Sequence, residues 1–217
     1  MMSPDGRVRT AIFHHALHAQ PVTLESLAAA TRLAPEQVTG ALVALHETGA
    51  IYLSDGAVIA AYPFSLVPTR HRMTIGGVTA YANCAVDALA VPPMADEPAH
   101  VSSTCGRCGA PVTVTMRGGR LLESQPAAPV VFYPDKDCCA PGPAVLTRCP
   151  YIQFFCDRDH AARWQESHPE LHGMVLDVAD AAAFASRHFD NAIRTVRGGA
   201  RDHHSRHSRF PAKDGGL

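Results

Sequence analysis

Net charge, lysine and long hydrophobic runs are what this 217-residue sequence has least of. No apolar stretch approaches the ~20 residues that a membrane-spanning helix requires, so no such helix is expected. Nineteen basic residues stand against 20 acidic ones, a formal net charge of −1, and only Lys136 and Lys213 are lysines. That balance supplies no long-range field for nucleic acid or anionic lipid. The first twenty residues are interrupted by His14, His15 and His18 and lack the apolar centre of a secretory signal, so a cytoplasmic location is expected. Seven cysteines are present. An odd number in a reducing compartment suits a disulfide framework poorly and calls for a chemical reason.

What is present divides into two parts. Helical periodicity over residues 7–19, a second helix capped by Thr23, and a third opened by Pro35 with Val38, Leu42 and Leu45 on one face lead to Gly49 as a stop. Residues 51–53 and 57–59 flank Ser54-Asp55-Gly56, a hairpin signal. Three helices and a hairpin make a winged-helix-like module over residues 1–62. Its third helix contains Glu36 and Glu47 and no Arg or Lys, so DNA is not an expected partner. Residues 63–79, rich in Pro, Thr and Gly, read as a linker with a short strand around 73–75. Residues 80–196 read as a small α+β domain with a mixed sheet: a helix at 81–89, strands near 100–103, 112–115, 121–122 and 130–132, an apolar strand at 151–155, a helix through Trp164, a strand at 174–178 and a last helix from 181. The tail, 197–217, carries His203, His204 and His207 among Gly, Arg and Ser and is expected to be disordered.

The cysteines carry the chemistry. Cys84 and Asp87 lie three apart in the expected helix and so share a face. A helix's first turns favour thiolate over thiol, and a carboxyl group beside a thiol can carry its proton when its pKa is raised. A buried helical cysteine is also an ordinary core residue. Cys149 precedes the apolar run Tyr151-Ile152-Gln153-Phe154-Phe155, where a thiol can be presented to a pocket or packed in a loop. Cys105-Gly106-Arg107-Cys108-Gly109 has the spacing of a zinc knuckle. Zinc requires four ligands, and Cys138 and Cys139 are candidates for the other two. Structural zinc, a thiol relay through Cys105, Cys108, Cys138 and Cys139, and inert thiols all remain open.

Tyr81-Ala82-Asn83-Cys84-Ala85-Val86-Asp87-Ala88-Leu89 with Pro92, and Ala99-His100-Val101-Ser102-Ser103-Thr104-Cys105, resemble the active-site helix and following strand of the organomercurial (alkylmercury) lyases. Cys149 with Phe154-Phe155, and Trp164 through Phe189, resemble that family's later segments, so the likeness spans roughly residues 7–195. Asn83 stands where the family usually has Trp, and Cys108, Cys138, Cys139 and Cys156 are additions to its pattern. The resemblance implies protonolysis of carbon–mercury bonds by Cys84, Asp87 and Cys149, with the Hg(II) product held at these residues and no cofactor required. It also implies an organomercurial substrate, and cellular thiols or mercuric reductase as Hg(II) acceptors. The rival readings are a non-enzymatic metal-binding or metal-sensing protein on the same scaffold, and a related enzyme with another soft-element substrate.

Overall fold

The computed structural model describes residues 2–95 and 97–197; the expected tail, apart from Arg197, and its three histidines lie outside these. Helix α1 (Pro4–Leu17) begins three residues earlier than the periodicity suggests, because Ser3 caps it through Gly6 N–H (3.2 Å) and Pro4 occupies the first helical position. Helix α2 (Leu24–Thr31) opens with a reciprocal cap between Thr23 and Ser26, and α3 (Pro35–Glu47) with Pro35. Strands β1 (Ile51–Ser54) and β2 (Ala57–Ala61) pair around Asp55 and Gly56, whose φ values of 50° and 77° are those of a type I′ hairpin turn. Val8, Ile12, Phe13, Leu27, Val38 and Leu45 fill the space between the helices.

Residues 63–79 are not a linker. They hold β3 (Phe64–Ser65), β4 (His71–Ile75) and the start of β5 (Val78–Ala82). Gly76 and Gly77, both at positive φ, turn β4 back onto β5. With β6 (Ala99–Thr104), β7 (Pro111–Arg117) and β8 (Arg120–Gln125) these strands form one eight-stranded sheet, ordered β1-β2-β3-β5-β4-β6-β7-β8. The hairpin of the N-terminal module is thus the edge of the main sheet, and Phe13 of α1 packs against Phe64 of β3 (centroids 5.7 Å apart). The expected linker was misread because its strands are short and lie among turn residues.

A second sheet, ordered β10-β9-β11, comprises β9 (Val130–Pro134), β10 (Gln153–Phe155) and β11 (Gly173–Asp177). The α+β class is as expected, but the pairing in both sheets is antiparallel rather than mixed. Helix α4 (Ala85–Ala90) packs against β4 and β5 of the large sheet, against β10 of the small one and against the C-terminal helix. Every residue of α4 is buried, as its all-round apolar sequence requires; Asp87 is the sole exception to that composition. A one-turn helix α5 (Ala144–Thr147) and a 3₁₀ turn (Cys149–Tyr151) lead into β10. Helices α6 (Arg158–Glu166) and α7 (Val178–His188) cover the small sheet, with Trp164 of α6 against Phe132 and Phe155 at 5.3 and 5.4 Å. Among the described residues no helix is long and apolar enough to cross a membrane.

Candidate active site: a buried dithiol beside a carboxyl group

Tyr81 and Ala82 belong to β5, so the expected helix at 81–89 starts later, and Cys84 is its N-cap rather than a member of its first turn. Its extended backbone (φ −153°, ψ 177°) turns Sγ back over the helix, where it accepts the Asp87 N–H at 3.4 Å. Three-residue spacing therefore brings thiol and carboxyl together by a cap geometry rather than by a shared helical face. The second thiol is positioned by the same helix end. Ala85 N–H donates to the Ile152 carbonyl at 3.1 Å, which fastens the segment following Cys149 to the start of α4. The expected strand at 151–155 is shortened accordingly, since Cys149–Tyr151 forms the 3₁₀ turn that points the Cys149 thiol inward.

The outcome is that one ligand atom each of Cys84, Asp87 and Cys149 all lie within 4.8 Å of one another, and all three residues are buried. They border a cavity of about 300 Å³. Its wall includes Tyr133 and Arg148, and Arg9, Ala50 and Tyr62 of the N-terminal module. The module thus supplies part of the cavity wall. Arg9 and Arg148 each have a buried Nε without a hydrogen-bond partner among the described residues. The Arg148 guanidinium lies 4.4 Å from the Tyr133 ring centroid, and its Nη2 donates to the Pro134 carbonyl. Tyr62 accepts the Val145 N–H through its hydroxyl oxygen (2.8 Å), and burial raises its pKa, so it stays protonated at neutral pH.

Burial also governs the acids at the centre. The Asp87 carboxyl is pushed up to about 7 by loss of water, against the opposing hydrogen bonds from Asn83 and Cys84. The Cys84 thiol is pushed well above its ordinary range by burial first, then by Cys149 and the Asp87 charge. The thiolate-favouring effect expected from the helix end is therefore outweighed. Asp87 lies close enough to neutrality to take a proton and to give one back. Asn83, singled out in the sequence only as a replacement, is a working part of this arrangement. Its Nδ2 donates to Asp87 Oδ2 at 3.1 Å and to the Phe64 carbonyl at 3.1 Å, while its Oδ1 is buried without a partner among the described residues. No spacing signal predicted that contact.

The remaining cysteines separate from the expected foursome. Cys105 and Cys108 are joined by Cys156 and His160, whereas Cys138 falls in a distinct group with Asp137 and His172. Cys139 turns its thiol toward the Asp135 carbonyl at 3.6 Å. All seven cysteines are free thiols.

Two buried thiols and a carboxyl group whose pKa is raised toward 7, gathered at one cavity, suit thiol chemistry on a soft reaction partner. The alkylmercury lyase family model matches residues 64–190, and the chain belongs to that family. It is 35% identical over 162 residues to an alkylmercury lyase of Streptomyces lividans, covering 75% of this chain and 72% of that protein. It is 32% identical over 161 residues to one of Staphylococcus epidermidis, covering 74% and 71%. The mercury-bound form of MerB2 has the same fold, with a TM-score of 0.74 over 90% of this chain and 93% of that one at 24% identity.

Proposed function

We propose that the protein cleaves carbon–mercury bonds of organomercurials by protonolysis, with Cys84 and Cys149 as mercury ligands and Asp87 as the proton carrier. The observation that carries this reading is the convergence of two buried thiols and a carboxyl group within 4.8 Å at one cavity. Mercury(II) prefers thiolate to carboxylate or water, so the pair can draw R–Hg–X from solution. The Cys84 proton passes to the Asp87 carboxylate as Sγ bonds to mercury and X⁻ leaves. Cys149 then bonds through sulfur, its proton leaving with X⁻ as HX. A second sulfur raises electron density on mercury and on the attached carbon. Asp87 delivers its proton to that carbon, and the C–Hg bonding pair becomes the new C–H bond.

The balance is R–Hg–X plus two thiols giving R–H, HX and a dithiolate of Hg(II). Mercury stays divalent throughout, so no oxidant or reductant is involved. Arg9 and Arg148 on the cavity wall offer positive charge to the departing anion. Release of Hg(II) then requires an external thiol or a thiol-bearing protein, because two buried thiolates hold the ion strongly. The test is headspace detection of methane or benzene from methyl- or phenylmercury with purified protein and excess thiol. Hydrocarbon release that needs the folded protein is the expected result; capture of the organomercurial without hydrocarbon would refute the reading.

A further inference from the structure

We propose that Cys105, Cys108, Cys156 and His160 form a structural zinc site that clamps the β6–β7 turn to the junction of β10 and α6. This does not depend on the lyase reading, since the four residues stand apart from Cys84, Asp87 and Cys149.

The geometry already approximates an S₃N tetrahedron. Zinc bonds thiolate sulfur at about 2.3 Å and imidazole nitrogen at about 2.0–2.1 Å, which sets tetrahedral edges of roughly 3.8 Å between sulfurs and roughly 3.5 Å between sulfur and nitrogen. Cys108 Sγ lies 3.8 Å from Cys156 Sγ, and Cys105 Sγ lies 3.4 Å from His160 Nδ1. All four ligand atoms fall within 4.8 Å of one another.

The backbone is built for such a centre. Cys105 accepts the Gly109 N–H at 2.9 Å and donates to the Ala110 carbonyl at 2.8 Å, which folds Cys105 to Gly109 into a tight knuckle with both thiols on one side. Gly109 adopts φ 73°, a conformation that glycine takes without strain. Gly106 serves a different need: a side chain there would strike Gln153 and Phe155. Its absence lets Gly106 N–H reach the Phe154 carbonyl at 2.8 Å, so the knuckle rests directly on β10. The other two ligands come from the end of that strand. Cys156 follows β10 immediately, and Asp157 caps α6 by accepting the His160 N–H at 2.8 Å. The cap fixes the first turn of α6, so that His160 stands four residues from Cys156 and faces Cys105.

Four protein ligands leave no open coordination position, which marks a structural rather than a catalytic centre. No carboxyl group sits among them to supply a proton to carbon. Loading with zinc requires the three thiols to release their protons to solvent while His160 binds in its neutral form. The mechanical consequence is local: β10 begins four residues after Cys149, so the clamp fixes the far end of the strand whose near end presents that thiol.

The experiment is metal analysis of the full chain purified under reducing conditions without chelator from zinc-supplemented medium, together with a cobalt(II) titration of the metal-free protein. About one zinc per chain is expected, and cobalt should give the intense visible bands of a tetrahedral thiolate site. Cys108→Ser, at the exposed ligand, and Cys156→Ser should each lose the zinc. Cys138→Ser/Cys139→Ser and Cys84→Ser/Cys149→Ser should retain it. Removing zinc from the wild-type chain should lower its melting temperature. The proposal is overturned by a reduced wild-type protein that binds neither zinc nor cobalt tetrahedrally, by zinc that survives in both Cys108→Ser and Cys156→Ser, or by a Cys108–Cys156 disulfide found in place of metal. An unchanged melting temperature after full zinc removal would overturn the clamp.

Discussion

Two sulfur clusters sit at opposite ends of the same short strand, and they differ in what they lack. The cluster of Cys84, Asp87 and Cys149 is wholly buried, opens on a cavity, and has two thiols where a closed metal site would have four ligands. The cluster of Cys105, Cys108, Cys156 and His160 reaches the surface at Cys108 and offers four ligand atoms, the number that the proposed zinc requires. An incomplete set of soft ligands beside a carboxyl group leaves room for the reacting carbon of the proposed mechanism. A complete set leaves room for nothing else. Thiol content alone would not separate an active centre from a staple; the number of ligands and the neighbouring acid do.

The largest test of that contrast is to remove one sulfur from each cluster in turn. Cys84→Ser and Cys149→Ser should each reduce hydrocarbon release to the rate seen without protein, with circular dichroism and melting close to wild type. The Cys108→Ser variant should instead lose stability while the active-site residues remain in place. If Cys108→Ser were as inactive as Cys84→Ser at a temperature where it is folded, the division of labour would fail.

Asp87→Asn comes next. It keeps the side chain's shape and leaves both thiols, so organomercurial capture should persist while cleavage falls about 10²–10⁴-fold, the range for loss of a general acid. A single-turnover assay with separate measurement of bound mercury distinguishes the two steps. The same substitution has a stability signature. Asp87 titrates near 7 in the fold, above its ordinary value of 3.8, because burial disfavours its charge. A raised folded value means stability present at low pH is lost as pH rises through that range toward about 7. Asp87→Asn should abolish this part of the pH dependence, measured as melting temperature from about pH 3 to about pH 8, which brackets the interval from 3.8 to about 7.

These tests touch residues whose legibility in the sequence was uneven. Cys84 and Asp87 could be paired from spacing, because a three-residue separation brings side chains together at a helix end as well as inside a helix. Cys149 had no local signal and rested on resemblance, since its approach to Cys84 depends on one long-range hydrogen bond from Ala85 to Ile152. The knuckle at Cys105 and Cys108 was visible, but its partners were sought in the adjacent Cys138-Cys139. The signal that would have found them is Cys156-Asp157-Arg158-Asp159-His160, a three-residue gap with a capping Asp that places a histidine on the first helical turn. In the fold, long amphipathic helices and the Asp-Gly hairpin were readable. Of residues 63–79, the strand at 73–75 was readable and is part of β4, whereas β3 was not, because it has only two residues and pairs with β2 and β5.

A finer adjustment of the active cluster concerns Asn83. Its amide donates to Asp87 and stabilises the charged carboxylate, which opposes the effect of burial. Asn83→Ala removes that donor, so Asp87 should hold its proton to higher pH. Under the proposed mechanism, cleavage in the organomercurial-loaded wild-type site requires protonated Asp87 and should decline as pH rises through about 7; in Asn83→Ala the same decline should move to higher pH. A pH–rate profile of single-turnover cleavage reads this directly. A limb at the same pH in both proteins would mean that the amide does not tune the acid.

The smallest effect is expected from the thiols that belong to neither cluster. Cys138 donates through sulfur to the Asp135 and His172 carbonyls at 3.1 and 3.3 Å, and Cys139 remains only partly covered. Their loop departs from Pro134, whose carbonyl accepts from Arg148 on the cavity wall. That link ties the start of the loop to a residue of the cavity wall, without making either thiol a ligand of the buried site. Cys138→Ser/Cys139→Ser should therefore leave zinc content, melting and single-turnover cleavage near wild type, because none of these depends on the loop. What it should change is the rate at which Hg(II) passes from Cys84 and Cys149 to an added dithiol, since adjacent partly exposed thiols offer an intermediate stop for a thiophilic ion. Stopped-flow transfer from the mercury-loaded protein measures that step alone. Equal transfer rates in the two proteins would remove the loop thiols from mercury handling; loss of zinc in the variant would instead return them to the knuckle and break the separation of the two clusters.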